Sequence, residues 1–177
     1  TPQDEYGHGC AVSGIISANS NNGLGIAGAA PNTAIMPLRV LDESGLGRYS
    51  NVAAAIVYAV DNGAQAINLS LGGPNESTVL QDAVNYAETH GVTVIAAAGN
   101  GGAEDAYYPA AYPAVVAVGS VDQNLQRSAF SNYGPDVDLY APGSNIMTTS
   151  MDGSFQTYSG TSVAAPYVTG VWALRKA

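Results

Sequence analysis

Short apolar runs alternate along this chain with longer stretches in which apolar residues return every three or four positions. The runs AIMPLRVL (34–41), QAINLSL (65–71), VTVIAAAG (92–99) and AVVAVGSV (114–121) have the length of strands. VTVIAAAG lacks polar alternation, which predicts a central strand buried on both faces. A helix is predicted over 51–60, with Asn51 or Ser50 as its cap and Asp-Asn-Gly at its end. Another is predicted over 77–91, capped by Ser77, with Leu80, Ala83, Val84 and Ala87 forming one buried stripe. A turn-rich stretch follows Gly99, VDLYAPG (137–143) lies in a less regular segment, and a last helix runs from 162 toward 176.

This order predicts one α/β domain over residues 1–177, with a mostly parallel sheet and no repeat or linker. Right-handed crossovers bring the strand C-terminal ends to one edge of such a sheet. Ser70, Leu71, Gly72, Gly99 and Asn100 all fall on that edge, the natural place for a site.

Composition narrows the classes. Hydrophobic residues make up 46% of the 177 and charged ones 11%, so the chain is globular. A net charge of −9 with five Lys and Arg argues against a nucleic-acid partner. It suits a soluble, secreted or cation-binding protein. Cys10 is the single cysteine, so no intrachain disulfide forms. No apolar run reaches the length of a membrane span. The chain begins at Thr1 without a visible signal sequence, as a processed product or a fragment would.

Three motifs carry chemistry: GHGCAVSG with His8, AAAGN with Asn100, and GTSVAAP with Ser162. Singly they read as a loop histidine, a turn asparagine and a helix cap. Together they fit nucleophilic catalysis. A serine hydroxyl needs an imidazole to take its proton, and His8 supplies one. The oxyanion that forms needs donors already in place; the Asn100 amide and the Ser162 backbone N–H offer two. A binding module that holds peptides along SLGG without cleaving them is a competing reading. A nucleotide-binding module is another, but neither SLGGPN nor AAGNGG matches a phosphate-binding loop pattern.

At these separations the three motifs resemble those of the subtilisin-like serine proteases, and within them the thermitase-like branch. The resemblance spans essentially the whole chain. It implies a three-layer fold with helices on both faces of the sheet, and a serine endopeptidase working through an acyl-enzyme on Ser162. It gives His8 the role of general base and Asn100 that of oxyanion donor. Ser70, Leu71 and Gly72 would pair with a peptide or protein substrate, and Ala97, Ala98 and Gly99 would form the other wall of the primary specificity pocket. SNNGLGIAG resembles the family's calcium loop, with Ser20, Asn22, Leu24 and Ile26 as ligands. YYPAAYP resembles a weaker cation loop with a cis Tyr108–Pro109 bond. A monomer, an extracellular address and a propeptide inhibitor are further implications.

The match departs from the family in places. The catalytic aspartate, on a strand well upstream of the histidine, has no counterpart in the seven residues before His8. Asp4 and Glu5 read as solvated loop acids. The expectation is therefore a fragment truncated at both ends, lacking an N-terminal strand and C-terminal elements and strongly impaired in activity. Cys10 and Ala11 replace the usual Thr-His, and Val163 and Tyr167 replace Met and His. Cys10 is expected to be buried and inert. Tyr107 stands where relatives carry a smaller residue at the pocket floor, and Trp172 is expected to pack.

Overall fold

Four strands share one parallel sheet in the order β1-β2-β3-β4: β1 (Ala66–Leu69), β2 (Thr93–Ala97), β3 (Val115–Val121) and β4 (Leu139–Pro142). The computed structural model describes residues 4–176. β2 shows why its sequence carries no polar alternation. Val94 and Ala96 face a core built with Ile56, Leu80 and Val84 from α2 (Tyr49–Asp61) and α3 (Thr78–Thr89). Ile95 and Ala97 face the opposite side, against Ala164 and Ala165 of α4 (Thr161–Lys176). With both faces covered by helices, the strand is apolar from Val94 to Ala97. Trp172 packs on the α4 side.

The helices follow their sequence signals, with two differences. In α3, Ser77 caps the first turn by accepting from the Leu80 amide, as expected. α2 starts earlier than its polar residues suggested: its cap is Arg48 in extended backbone, without a side-chain cap bond. Neither Ser50 nor Asn51 caps it; both lie inside the first turn.

Three further differences concern strands. VDLYAPG contributes β4, legible only through its pairing with β3. β5 (Ile146–Thr149) and β6 (Phe155–Tyr158) form an antiparallel pair that the apolar pattern did not announce, since β6 lies mostly exposed. AIMPLRVL forms no strand. Residues 34–40 have no regular structure, Ile35, Met36 and Leu38 are exposed, and the segment joins a ladder only at the isolated Leu41–Gly47 bridge. The reason is spatial. A cavity of about 1180 Å³ separates this segment from the free edge of β1, and strands pair only at about 4.8 Å.

α1 (His8–Ser17) lies against α4 and is tied to β5. Thr148 and Thr149 donate to the Ala11 and Cys10 carbonyls at 2.6 and 2.8 Å. A Cβ on Gly14 would fall 2.9 Å from the Thr148 hydroxyl, so only glycine lets helix and strand approach this closely.

Candidate active site

α4 begins at the strand-end edge of the sheet, and its first residues meet the segment leaving β2. The Asn100 side-chain oxygen accepts from the Thr161 amide at 2.8 Å and from the Thr161 hydroxyl at 3.0 Å. Thr161 is fully buried, and its hydroxyl also accepts from the Gly99 amide at 3.1 Å. These bonds occupy the carboxamide oxygen and leave the Nδ2 donor to point elsewhere. A Cβ on Gly160 would lie 3.1 Å from the Ser162 Oγ, 3.5 Å from the Asn100 Nδ2 and 3.7 Å from the Asn100 Oδ1. The Ser162 hydroxyl and the Asn100 carboxamide thus both border Gly160. The first amides of α4 have no acceptor within the helix, so the Ser162 N–H is available beside them.

A chain of side-chain bonds fixes β1 to the same helix. Thr169 donates to Asn68, Asn68 donates to the Ser70 hydroxyl, and Ser70 donates to the Ser162 carbonyl at 2.6 Å. Ser70, Leu71 and Gly72 therefore leave β1 directly beside the serine. On the other side Ala97 and Ala98 are buried, and the Ala98 amide donates to the Val118 carbonyl. Gly99 has φ +104, and a Cβ there would run into Asn132 and Tyr107. Asn132, itself buried, accepts from the Gly101 amide at 2.8 Å and so steadies the loop that follows Asn100.

His8 opens α1 behind Gly7, whose φ of +91 turns the chain into the helix. It lines the large cavity that Ser70 also lines. Burial holds its pKa below the ordinary 6.5, with the Asp4 charge pulling partly the other way. The structure thus joins Asn100, Thr161, Ser162 and Ser70 directly, and places His8 at a neighbouring cavity wall without a hydrogen bond to Ser162.

Asp4 is more than a solvated loop acid. Its carboxylate accepts from the amides of Tyr6, Gly7 and Cys10, capping the entry to α1. Burial opposes its charge, but those donors outweigh it and hold its pKa below the ordinary value. Its oxygens are thereby committed to the backbone. Glu5 does pair at the surface, with Arg39 at 2.9 Å. Burial, then the nearby Asp4 carboxylate, pushes the half-buried Cys10 thiol up, so it stays protonated at neutral pH.

The 20–26 loop offers a partial donor set for calcium. Ser20, Asn22 and Leu24 are exposed and Ile26 is half-buried, and the Asn22 side-chain oxygen already accepts from the Leu24 amide at 3.0 Å. The loop has no carboxylate, whereas calcium takes six to eight oxygens, commonly including Asp or Glu. Among the described residues, no three His, Cys, Asp or Glu side chains cluster as a metal site. The Tyr108–Pro109 bond is cis.

Sequence reading missed Thr161, Asn132 and the capping role of Asp4. Thr161 stands inside the quoted GTS motif, but its partners lie 61 and 62 residues away and leave no local trace.

Fold and site together define a parallel α/β protein with a helix-mouth serine beside a preoriented carboxamide at its strand ends. The chain belongs to the subtilase family, whose profile matches residues 1–177. It is 50% identical over 173 residues to the thermophilic serine proteinase of Bacillus sp. (strain AK1), covering 98% of this chain and 43% of that protein. It is 50% identical over 171 residues to thermitase of Thermoactinomyces vulgaris, covering 97% and 61%. Among solved structures, a cold adapted subtilisin-like serine proteinase superposes with a TM-score of 0.90 at 41% identity, over 98% of this chain and 62% of that one. The chain thus spans about half the length of the curated relatives it matches.

Proposed function

We propose that the protein is a serine endopeptidase with Ser162 as nucleophile, His8 as general base and then acid, and Asn100 with the Ser162 amide as oxyanion donors. The observation that carries this is that Thr161 occupies the Asn100 side-chain oxygen with two donors, freeing its N–H, while Ser162 and Asn100 both border Gly160. A peptide adds as a strand along Ser70, Leu71 and Gly72, main chain to main chain. His8 takes the Ser162 proton as Oγ attacks the carbonyl carbon, and the new oxyanion meets two fixed donors. Collapse breaks the C–N bond and His8 protonates the departing amine. Water, deprotonated in turn by His8, then releases the acyl group.

The imidazole needs a carboxylate to hold its tautomer and stabilise its charged form, and Asp4 is engaged elsewhere. We infer that an extended segment from outside residues 1–177 lies in the cavity between 34–41 and β1 and brings that carboxylate to His8. Support comes from the cavity's position between residues 34–41 and the β1 edge and from His8 at its border. In the full-length protein, Ser162→Ala and His8→Ala should each lower peptide hydrolysis by about 10⁴-fold or more. Undiminished rates would contradict the assignment.

The absence of a His8–Ser162 hydrogen bond favours a second reading for residues 1–177 alone, a peptide-binding unit without turnover. Retained peptide binding with no hydrolysis by residues 1–177 would support it, and hydrolysis by residues 1–177 would overturn it. We further propose an extracellular, monomeric protein held inactive by a propeptide, in keeping with its family and its acidity. Among the described residues, no helix is long and apolar enough to cross a membrane. For calcium we propose a weak structural site on the 20–26 loop, because its ligands are neutral and few. Millimolar calcium should raise the thermal midpoint and micromolar calcium should not; strong stabilisation at micromolar calcium would overturn this.

A further inference from the structure

We propose that Tyr107 closes the floor of the pocket that receives the side chain preceding the scissile bond, restricting that position to glycine, alanine and similarly small residues. This rests on the protease reading above. β1 and β2 are parallel neighbours, so the segments leaving their C-terminal ends run side by side. Ser162 and Asn100 stand at that edge. A peptide carbonyl presented to them directs its own side chain into the gap between the two segments.

That gap holds the Tyr107 ring. A Cβ on Gly99 would come 2.9 Å from the ring's Cγ, and one on Gly72 would come 2.6 Å from its Cε1. The ring therefore spans from one wall to the other, and both walls are glycine where they touch it. Its far end is fixed as well: the hydroxyl donates to the Gly72 carbonyl at 2.8 Å. Its near end is fixed through the chain, because Tyr108 and Gly73 exchange backbone bonds of 2.8 and 2.9 Å. Swinging the ring aside breaks the hydroxyl bond in a half-buried place and leaves a carbonyl short of a partner. A methyl group fits above such a floor; a substrate phenyl ring competes for the same volume.

The test uses the full-length protein and peptide aryl phosphonates that differ only in carrying an alanine or a phenylalanine side chain next to the phosphorus. A small alkyl fluorophosphonate, which has no side chain to place, reports the serine by itself. The expected result is faster modification of Ser162 by the alanine probe. Tyr107→Gly should then raise the phenylalanine-to-alanine rate ratio by about tenfold or more. Tyr107→Phe, which keeps the ring and loses only the hydroxyl, should retain the alanine preference. Faster reaction of the phenylalanine probe with the unmodified protein, or an equal effect of Tyr107→Gly on both probes, overturns the proposal while the nucleophile stands. A Ser162 that the fluorophosphonate leaves untouched overturns the protease reading and this inference with it.

Discussion

Asn100 can stabilise an oxyanion only if its amide nitrogen, not its oxygen, faces the reacting carbonyl. Thr161 decides that, by giving the oxygen two donors and the Gly99 amide an acceptor. Losing one oxyanion donor in a subtilisin costs about 10²–10³ in turnover rate, and the same loss is expected for Asn100→Leu. Thr161→Val should cost about 1–3 kcal/mol in unfolding free energy, since it leaves the buried Gly99 N–H without a partner, and should lower turnover as well. Denaturant titration beside a rate measurement checks both; a stable, fully active variant would remove Thr161 from the account. His8 gives a pH prediction. Burial lowers its folded pKa, so the unfolded chain holds the proton more readily. Its contribution to stability is full above 6.5 and is lost as pH falls toward the folded pKa. The chain has two histidines, so NMR titration of residues 1–177 follows two imidazoles. His8 should titrate below 6.5, and further below in Asp4→Asn; titration above 6.5 would contradict the burial argument.

Elements place these residues, and elements were unevenly legible. β2 could be read because burial on both faces writes itself into an unbroken apolar run. α3 could be read because Ser77 and the Leu80, Ala83, Val84 stripe are local signals. The segment 34–41 could not, because strand character belongs to a pair of segments and its neighbouring edge is a cavity. The β5–β6 pair was silent for a related reason, with too few buried positions to make a pattern. The proposed His8, Asn100 and Ser162 rest on short motifs, while the bonds that hold Asn100 and Ser162 reach residues 61 and 92 positions away. α1 carries His8, the proposed base. It rests on β5 at Gly14, where any side chain would meet Thr148 and Thr149. Gly14→Ala should destabilise by about 1–3 kcal/mol through overpacking and shift His8, lowering turnover more than stability alone explains. Gly14→Ala with unchanged stability and rate would show that this contact does not position the helix.

At the scale of the whole molecule, residues 1–177 hold two apolar cores on opposite faces of one sheet and an open cavity at the β1 edge. Ile35, Met36 and Leu38 are exposed beside it, an apolar border of the kind that binds hydrophobic dyes. Residues 1–177 alone should bind such a dye, and the full-length protein should not; equal binding would argue against an extended segment filling the cavity. Activation of Ser162 by the His8 imidazole is the central step of the proposed mechanism. Reaction of the full-length protein with a fluorophosphonate, mapped by mass spectrometry, addresses that directly. Modification at Ser162 is expected, abolished by Ser162→Ala and slowed by orders of magnitude in His8→Ala. A folded protein whose Ser162 stays unmodified, or reacts equally fast without His8, would contradict that mechanism.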